Sequence, residues 1–506
     1  MSWSLLAYVA LVPAGLWLAA RPRGRAESFR FGYAAGLVFY ALGLHWILFL
    51  SKVAVTVSWI MYPAWLAAAG YLALYPALAA LLAALARRRV GLPTPLGWPL
   101  AWMGLEWLRA QGELGFPWFH LGYTQWNVLP VLQLATFSGV SAVGLFVALV
   151  NGLVLAALTA RAPRGRLAFA AAALVVVALP FLIVRLPQPT LATTPIGLVQ
   201  GNVPGRIKWS GRHEDQVLGK FMVLSREAVR RGARFLVWPE TSTGSYLRQN
   251  LDQRMRLQAF VDSLGVGVLA GYPDYRFTGP KTYLSWNAAG VFWPNTGLGP
   301  QYAKMHLVPF GERMPFQGLV PAIGKLELGQ AEWTPGTDPS PLPTPLGPAG
   351  VLVCFESIFA EPTRSEVLRG ATWLVNVTND EWFDRSGALS QHAAMAVFRA
   401  VEHRVPVARC ANTGLTFFVD PWGRRTVPPR IFEDAVVVAP LSGAAPGHTL
   451  FTRWGDTVGP ACALASFLLA LLVLASARRG APALTEDDEA GMVAPSTHTR
   501  PRRRTR

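Results

Sequence analysis

The sequence predicts a polytopic α-helical membrane domain joined to a layered α/β domain of roughly 250 residues, a common domain size. Three observations support this fold class. The chain is 52% hydrophobic and only 15% charged, a composition typical of membrane proteins. Long apolar runs occupy the first 186 residues and recur near the end, with arginine clusters between them. From 187 to 452, short apolar strands alternate with helical patterns, which indicates a sheet covered by helices.

About seven apolar runs have roughly the length needed to cross a bilayer. The expected spans are 3–20, 30–51, 57–86, 94–111, 128–160 and 167–186, which form a membrane domain over 1–186, and a C-terminal helix at 457–477 within 453–477. The first run is followed by RPRGR instead of being preceded by positive charges, so we expect a retained span and no cleaved signal peptide. The fourth is the least regular, because Glu106 and Arg109 lie near its end.

The arginine clusters predict the orientation of these spans. They lie at 21–25, 87–89 and 161–166, and each interval between them contains two expected spans. All three clusters can therefore face the cytoplasm, as the positive-inside rule requires. The sixth span then carries 187–452 to the outer face, and the last span returns the chain. The tail at 478–506 is small, acidic and then arginine-rich, and we expect it to be disordered on the cytoplasmic side.

Alternating patterns define the elements of the outer domain. Strands are expected at 195–200, 234–238, 266–270, 286–293, 350–355 and 373–378, and helices at 212–231, 250–264 and 388–403.

Several function classes are excluded by composition and motifs. The formal net charge of +17 is concentrated in arginine clusters beside apolar runs, which indicates membrane topology and not a nucleic-acid surface. The chain has three cysteines, Cys354, Cys410 and Cys462, without metal-type spacing. Neither GxGxxG nor GxxxxGK[ST] follows a strand. We therefore expect no nucleotide, no other cofactor and no metal.

Reactive side chains follow three predicted strands of the outer domain. Glu240 follows FLVWP, Lys304 follows QYA, and Cys354 follows AGVLV. A thiol has an ordinary pKa of about 8.5, so it needs a base or a cation nearby to act as a nucleophile. A glutamate can take the thiol proton, and a lysine can stabilise an oxyanion. The three residues together predict nucleophilic catalysis at one end of the sheet.

Each of these residues also has a structural interpretation. A free cysteine is among the most buried residue types and commonly packs as a small hydrophobe. Glu240 can be a loop carboxylate, Lys304 a solvated charge at a strand end, and Glu312 a turn residue. Only their joint occurrence in one domain favours catalysis.

Local motifs indicate a family. The chain reads WPE at 238–240, YAKMHLVPFGE at 302–312 and CFE at 354–356. The order of Glu, Lys and Cys in these motifs resembles the nitrilase, or carbon-nitrogen hydrolase, superfamily, whose fold is an α/β sandwich. With the flanking spans, GFPWFHLGYTQ at 115–125 and TNDEWF at 378–383, the chain is more narrowly similar to the apolipoprotein N-acyltransferases. The resemblance covers nearly the whole chain except the tail.

The resemblance implies an enzyme of the bacterial inner membrane with a periplasmic catalytic domain. Such an enzyme takes an acyl chain from a phospholipid, typically phosphatidylethanolamine, and holds it as a thioester on a cysteine. It then passes the chain to the α-amine of a diacylglyceryl-cysteine at the amino terminus of an apolipoprotein. The resemblance implies a monomer without cofactors. It assigns the general base to Glu240, the oxyanion-stabilising cation to Lys304 and the nucleophile to Cys354, with Trp209, Glu312 and Glu356 in supporting positions.

The sequence departs from the family pattern at one position. A tyrosine commonly follows the nucleophile in the family, whereas this chain has Phe355. A hydroxyl at that position is therefore absent or supplied by another group.

Two other functions remain open. A membrane-tethered amidase or nitrile hydrolase would use water to resolve the thioester, although a tether needs only one or two spans. A transporter with an outer ligand-binding domain would carry ionisable groups within several spans. Here His45 and Glu106 are the visible candidates for such groups.

Overall fold

The computed structural model describes residues 3–52, 58–187, 194–320, 322, 332–443 and 449–478. Apart from Arg478, the tail expected at 478–506 lies outside these residues.

The N-terminal region is helical. Its α-helices are α1 (Val12–Ala20), α2 (Arg25–Gly43), α3 (Met61–Val90), α4 (Thr94–Leu108), α5 (Leu129–Leu132), α6 (Ala135–Thr159) and α7 (Pro163–Ile183). Short 3-10 helices cover Trp3–Val9, His45–Lys52, Ser58–Ile60 and Leu121–Gln125. The first expected span is thus divided into a 3-10 and an α-helical part. Pro13 lies in the first turn of α1, where the backbone N–H that proline lacks would have no partner within the helix.

The outer domain combines strands with helices. Within the described residues its strands are β1 (Thr194–Gln200), β2 (Phe235–Val237), β3 (Gly267–Phe277), β4 (Tyr283–Trp293), β5 (Gly297–Ala303), β6 (Ala349–Val353), β7 (Trp373–Thr378), β8 (Val407–Ala411), β9 (Phe417–Val419) and β10 (Ala435–Leu441). The helices that follow α7 are α8 (Gly205–Lys208), α9 (Glu214–Arg230), α10 (Leu251–Leu264), α11 (Ala360–Leu368), α12 (Ala388–His403), α13 (Leu450–Trp454) and α14 (Val458–Arg478). Every strand and helix expected from the alternating patterns is confirmed.

Four of the described helices, α3, α6, α7 and α14, are long and apolar enough to cross a membrane. A shorter apolar segment covers Ser4–Ala20. In contrast, α2 begins with a charged turn and α4 has only 15 residues. The expected total of seven spans therefore stays a prediction. His45 lies two residues beyond the end of α2, and its Nδ1 is 2.7 Å from the carbonyl oxygen of Leu42.

Two sheets form the outer domain. One has the order β10-β1-β2-β3-β4-β5, and the other has the order β6-β7-β8-β9. The pairs β1–β2, β2–β3, β6–β7 and β7–β8 are parallel. Apolar side chains of both sheets form one buried cluster that includes Leu198, Val237, Val351 and Val375. The domain is therefore an α/β sandwich, and the carboxyl ends of its parallel strands share an edge.

The helical region and the sandwich share a second apolar cluster, which we call the joint core. It contains Trp46, Trp118 and Tyr123 from the helical region together with Phe383 and Phe398 from the outer domain. The indole of Trp118 donates to Oε1 of Gln391 at 2.7 Å and stacks on the His392 ring at 5.7 Å. Trp118, which lies in the segment 115–125, therefore packs against α12.

The arginine-bearing ends of the bundle meet on the side away from the sandwich. Arg87 donates to the carbonyl oxygens of Leu18 and Ala19, both at 2.9 Å. Ser476 near the end of α14 donates to the carbonyl oxygen of Arg89 at 2.9 Å. At the opposite end of α14, the carboxylate of Asp456 accepts from Ser138 and Ser141 of α6. Two of the three arginine clusters and the last residues of α14 therefore lie at one end.

Candidate active site

Glu240 follows β2 and is held by two donors. Its Oε1 accepts from the side-chain amide of Asn287 at 2.7 Å, and its Oε2 accepts from the backbone N–H of Asn379 at 2.8 Å. A Cβ on Gly271 of β3 would lie 2.8 Å from the Glu240 Cα, so only glycine permits this approach. Burial raises the pKa of the Glu240 carboxyl, and the charge of Lys304 opposes that rise.

Lys304 is the first residue after β5, and its side chain is 1% exposed. The ammonium is 2.9 Å from Oε1 and 2.8 Å from Oε2 of Glu312, and 3.8 Å from Oε1 of Glu240. Burial opposes its charge, but Glu312 and Glu240 outweigh burial and raise the pKa of Lys304. The side chain is therefore a fixed cation at neutral pH.

Cys354 is the first residue after β6 and has a φ of +52°. Few non-glycine residues adopt this left-handed conformation, which here turns the chain sharply from strand to 3-10 helix. The thiol is buried. Burial and the charge of Glu240 raise the thiol pKa, while Lys304 opposes them. The resting cysteine is therefore a neutral thiol.

Glu356 joins the loop after Lys304 to the turn at Cys354. Its Oε1 accepts from the hydroxyl of Tyr302 at 2.8 Å and from the backbone N–H groups of Met305 and His306 at 2.7 and 3.1 Å. Its Oε2 accepts from the N–H of Val353 at 2.8 Å. With four donors on a fully buried carboxylate, Glu356 fixes the nucleophile turn relative to the cation.

A buried network lies behind the nucleophile. Asp380 accepts from Arg409 at 2.8 Å, and its Oδ1 is 3.1 Å from Nδ1 of His392. Nε2 of His392 is 3.1 Å from the carbonyl oxygen of Cys354. Although burial favours a protonated Asp380, Arg409 and His392 outweigh it and lower the pKa of this carboxyl. The network supports the backbone of Cys354 from the side that faces α12.

Two further residues that the sequence singles out are Trp209 and Phe355. Trp209 follows α8 and is 50% exposed. Its neighbour Lys208 is buried instead, with Nζ 3.4 Å from Oγ1 of Thr241. Burial lowers the pKa of Lys208 to about 8, against the charges of Glu240 and Glu381. Phe355 packs edge-on against Phe359 at 5.3 Å and brings no hydroxyl to the site.

The structure thus brings together Glu240, Lys304 and Glu312 by direct contact, with Cys354 close enough for its thiol pKa to respond to the first two charges. The residue-by-residue sequence reading missed the buried polar residues around them, which are Lys208, Asn287, Asn379, Asp380, His392 and Arg409. Asn379 and Asp380 lie within the TNDEWF motif, so that motif was the available signal for these two. A buried proton acceptor, a fixed cation and a thiol are the groups that thioester chemistry needs.

Models of known families match both regions of the chain. Residues 1–153 match the apolipoprotein N-acyltransferase N-terminal domain, and residues 196–445 match carbon-nitrogen hydrolase. These matches confirm the fold class expected from the sequence, a nitrilase-like α/β sandwich with a polytopic helical membrane domain.

Curated relatives are similar over most of their length. An apolipoprotein N-acyltransferase of Geobacter metallireducens is 35% identical over 93% of this chain and 91% of its own. Those of Methylococcus capsulatus and Gloeobacter violaceus are 33% and 32% identical, over 87% and 94% of this chain and 86% and 90% of their own. Among solved structures, an amidase from Nesterenkonia sp. is 20% identical, with a TM-score of 0.39, over 50% of this chain and 92% of its own.

Proposed function

The chain belongs to the apolipoprotein N-acyltransferase family, and on this premise we propose that it acylates lipoproteins through a thioester on Cys354. It is a membrane protein and an acyltransferase of lipoprotein biosynthesis. The catalytic roles, the two substrates and the cellular location are the parts that we propose.

In the first step, the carboxylate of Glu240 takes the proton of the Cys354 thiol as the sulfur attacks an ester carbonyl of a phospholipid. The raised pKa of the thiol keeps the proton on sulfur until attack begins, and the raised pKa of Glu240 makes its carboxylate a stronger proton acceptor. Lys304 stabilises the oxyanion of the tetrahedral intermediate. Collapse breaks the ester bond, and Glu240 returns the proton to the departing lysophospholipid oxygen.

In the second step, the α-amine of a diacylglyceryl-cysteine attacks the thioester carbonyl. Glu240 takes a proton from the nitrogen, and Lys304 again stabilises the oxyanion. Collapse forms the amide and releases the sulfur, which regains its proton from Glu240. Neither step consumes water. Because the reacting groups are buried, water has little access to the thioester, and acyl transfer is favoured over hydrolysis.

We infer the acyl donor and the acyl acceptor from the thioester chemistry and from the location of the site beside the membrane domain. We assign the donor to phosphatidylethanolamine and the acceptor to a diacylated apolipoprotein, because both can keep their acyl chains in the bilayer while their polar ends reach Cys354. The catalytic domain faces the periplasm from the bacterial inner membrane, and one copy of the chain is sufficient.

One observation carries this proposal. The ends of β2, β5 and β6, drawn from both sheets, place a carboxylate, an ammonium and a thiol together in a buried site. The sandwich edge that holds Cys354 is the edge that meets Trp118 of the membrane domain through α12. The reacting groups are therefore buried where the two domains meet.

The test uses purified full-length protein with labelled phosphatidylethanolamine and a diacylated lipopeptide. We expect an amide-linked triacyl product by mass spectrometry and a labelled thioester when the lipopeptide is omitted. Cys354→Ala should abolish both and leave the protein inserted in the membrane. Cys410→Ala is the matched control, because the Cys410 thiol is buried between the sheets, 3.2 Å from the carbonyl oxygen of Val237.

A labelled thioester that persists in Cys354→Ala would overturn the assignment of the nucleophile. Release of free fatty acid without amide product would instead favour the membrane-tethered amidohydrolase.

A further inference from the structure

A cavity of about 440 Å³ lies between the membrane domain and the sandwich. Its walls come from Trp126 and Leu129 on one side, from Leu415 on another, and from the loop 423–428. We call it the arginine pocket, because Arg424 and Arg425 both line it. None of its lining residues is a hydrogen-bond or ion-pair partner of Glu240 or Lys304 among the described contacts, so it is separate from the catalytic groups.

The arginine pocket lies at the outer end of the helical bundle. Leu129 precedes α6, whose other end leads to the arginine cluster at 161–166. Arg424 donates to the carbonyl oxygen of Pro187 at 2.5 Å, four residues beyond the end of α7. The last turn of α7 exposes apolar side chains, with Leu182 and Ile183 67% and 65% exposed. Arg424 therefore contacts the chain a few residues beyond the exposed apolar end of α7.

The two arginines differ in their partners. Arg424 forms an ion pair with Asp420 at 3.1 Å. The Arg425 guanidinium lies 3.8 Å above the Trp126 ring, and no carboxylate of the described chain pairs with it. The pocket therefore carries one uncompensated positive charge, fixed against an aromatic face.

The rim of the pocket is apolar. Val427, which lines it, is 89% exposed, and Pro428 follows. An exposed apolar tip beside arginine and tryptophan is typical of a surface that dips into the lipid headgroup region. The positive charge of the pocket matches a negatively charged lipid headgroup. The apolar rim and the exposed apolar face of α7 match the acyl chains of the same lipid.

We propose that the arginine pocket binds the headgroup phosphate of an anionic phospholipid, with the acyl chains along α7. Arg425 supplies the charge-assisted hydrogen bonds to the phosphate, and Arg424 supports it. The site is additional to the donor site at Cys354. Its lipid is held and not consumed, so it anchors the outer domain against the membrane surface.

The test is a titration of phosphatidylglycerol into detergent-solubilised full-length protein, followed by native mass spectrometry. All variants carry Cys354→Ala, so acyl transfer does not contribute and the result is independent of the proposed function. We expect Arg425→Gln to weaken the binding of one phosphatidylglycerol by about tenfold, the scale of a lost charge-assisted contact. Arg425→Lys should retain the charge and lose about threefold or less.

The matched control is Arg430→Gln, whose side chain is 86% exposed and lies outside the pocket. Equal loss in Arg430→Gln would show a diffuse charge effect and overturn the proposal, as would unchanged binding in Arg425→Gln. Phosphatidylcholine should not occupy the site, and its equal binding would also contradict the proposal. If inorganic phosphate competes at the same concentration as the lipid, the pocket is a site for free anions and the proposal is wrong. If the pocket binds the lipopeptide in a way that depends on Arg425, it is a peptide site and the proposal is also wrong.

Discussion

At the scale of single residues, the nucleophile turn depends on a carboxylate that takes no part in proton transfer. Cys354 occupies a strained conformation that must be held by its surroundings. Glu356 supplies this support from one side, and the His392 network supplies it from the other. The same Glu356 contacts fix the loop after Lys304. Glu356 thereby connects the turn that carries the thiol to the loop that follows Lys304.

Asn287 adjusts the pKa of the base, Glu240, through a hydrogen bond. Its amide stabilises the charged form of Glu240, so Asn287→Ala should raise the pKa of that carboxyl. Catalysis needs the deprotonated form, which is lost as the pH falls through this pKa. We therefore expect the acid limb of thioester formation to move to higher pH by about one to two units, the equivalent of one hydrogen bond to a charged group.

The measurement is the rate of thioester formation as a function of pH. Asn295→Gly serves as the control, since Asn295 lies in the turn after β4 with a φ of +60° that glycine accepts. An acid limb in Asn287→Ala at the wild-type pH or below it would contradict the assigned role.

The positions of the three reacting groups at strand ends could be predicted from the sequence, because each follows a short apolar run. Their partners could not. Asn287 faces Glu240 only because β4 pairs with β3 in one particular register. Lys208 is likewise buried by a loop contact that no local pattern encodes. Contacts that depend on strand register or on the packing of loops are set by tertiary structure, which a single sequence does not display.

At the scale of elements, α2 and α3 pack through small residues. A Cβ on Gly32 would lie 2.6 Å from the carbonyl oxygen of Pro76, and one on Gly36 would lie 2.5 Å from the Pro76 ring. Close contact of this kind is how helices associate in lipid, where apolar burial gives little drive.

Gly32→Leu should therefore destabilise the bundle by about 1–3 kcal/mol, the usual cost of overpacking. Ala34→Leu places the same side chain on the exposed face of α2 and should have little effect. Thermal melting in detergent compares the two variants, and equal midpoints would show that α2 and α3 do not rely on this contact.

The strands differ in how clearly the sequence predicts them. The buried strands β1, β6 and β7 stand out as continuous apolar runs. In contrast, β10 is not among the predicted strands, and it contains Pro440, a residue that is unfavourable inside a sheet. It is tolerated there since β10 is the edge of its sheet, where a missing N–H leaves no neighbour unpaired. Strand β9 has three residues, too few for a pattern.

At the scale of the whole molecule, the joint core connects the membrane domain to the catalytic edge. Trp118 is 1% exposed and touches α12 beside the Cys354 turn. Trp118→Ala should destabilise the protein by about 3–5 kcal/mol, as expected for a buried tryptophan, and slow thioester formation. Trp59→Ala is the control, because Trp59 is 70% exposed. Equal stability of the two variants would contradict a shared core.

Orientation is a prediction of the same scale. Because the positive-inside rule predicts that the arginine clusters face the cytoplasm, alkaline phosphatase fused at residue 280, in the turn between β3 and β4, should be active. Fusion at residue 91, after the triple arginine, should be inactive. Activity is measured in whole cells, and an inactive fusion at 280 would refute the periplasmic location.

The stacking of Trp118 on α12 also sets an order of events during synthesis. Trp118 and Gln391, which hydrogen-bond to each other, are separated by 273 residues. At 5–20 residues per second, the ribosome needs roughly 15–55 s to make that interval. During this interval the N-terminal helices are already in the bilayer, but the outer-domain residues of the joint core have not yet been synthesised. A factor that shields this surface during the delay would raise the yield of active enzyme, and faster translation of the middle of the chain would do the same.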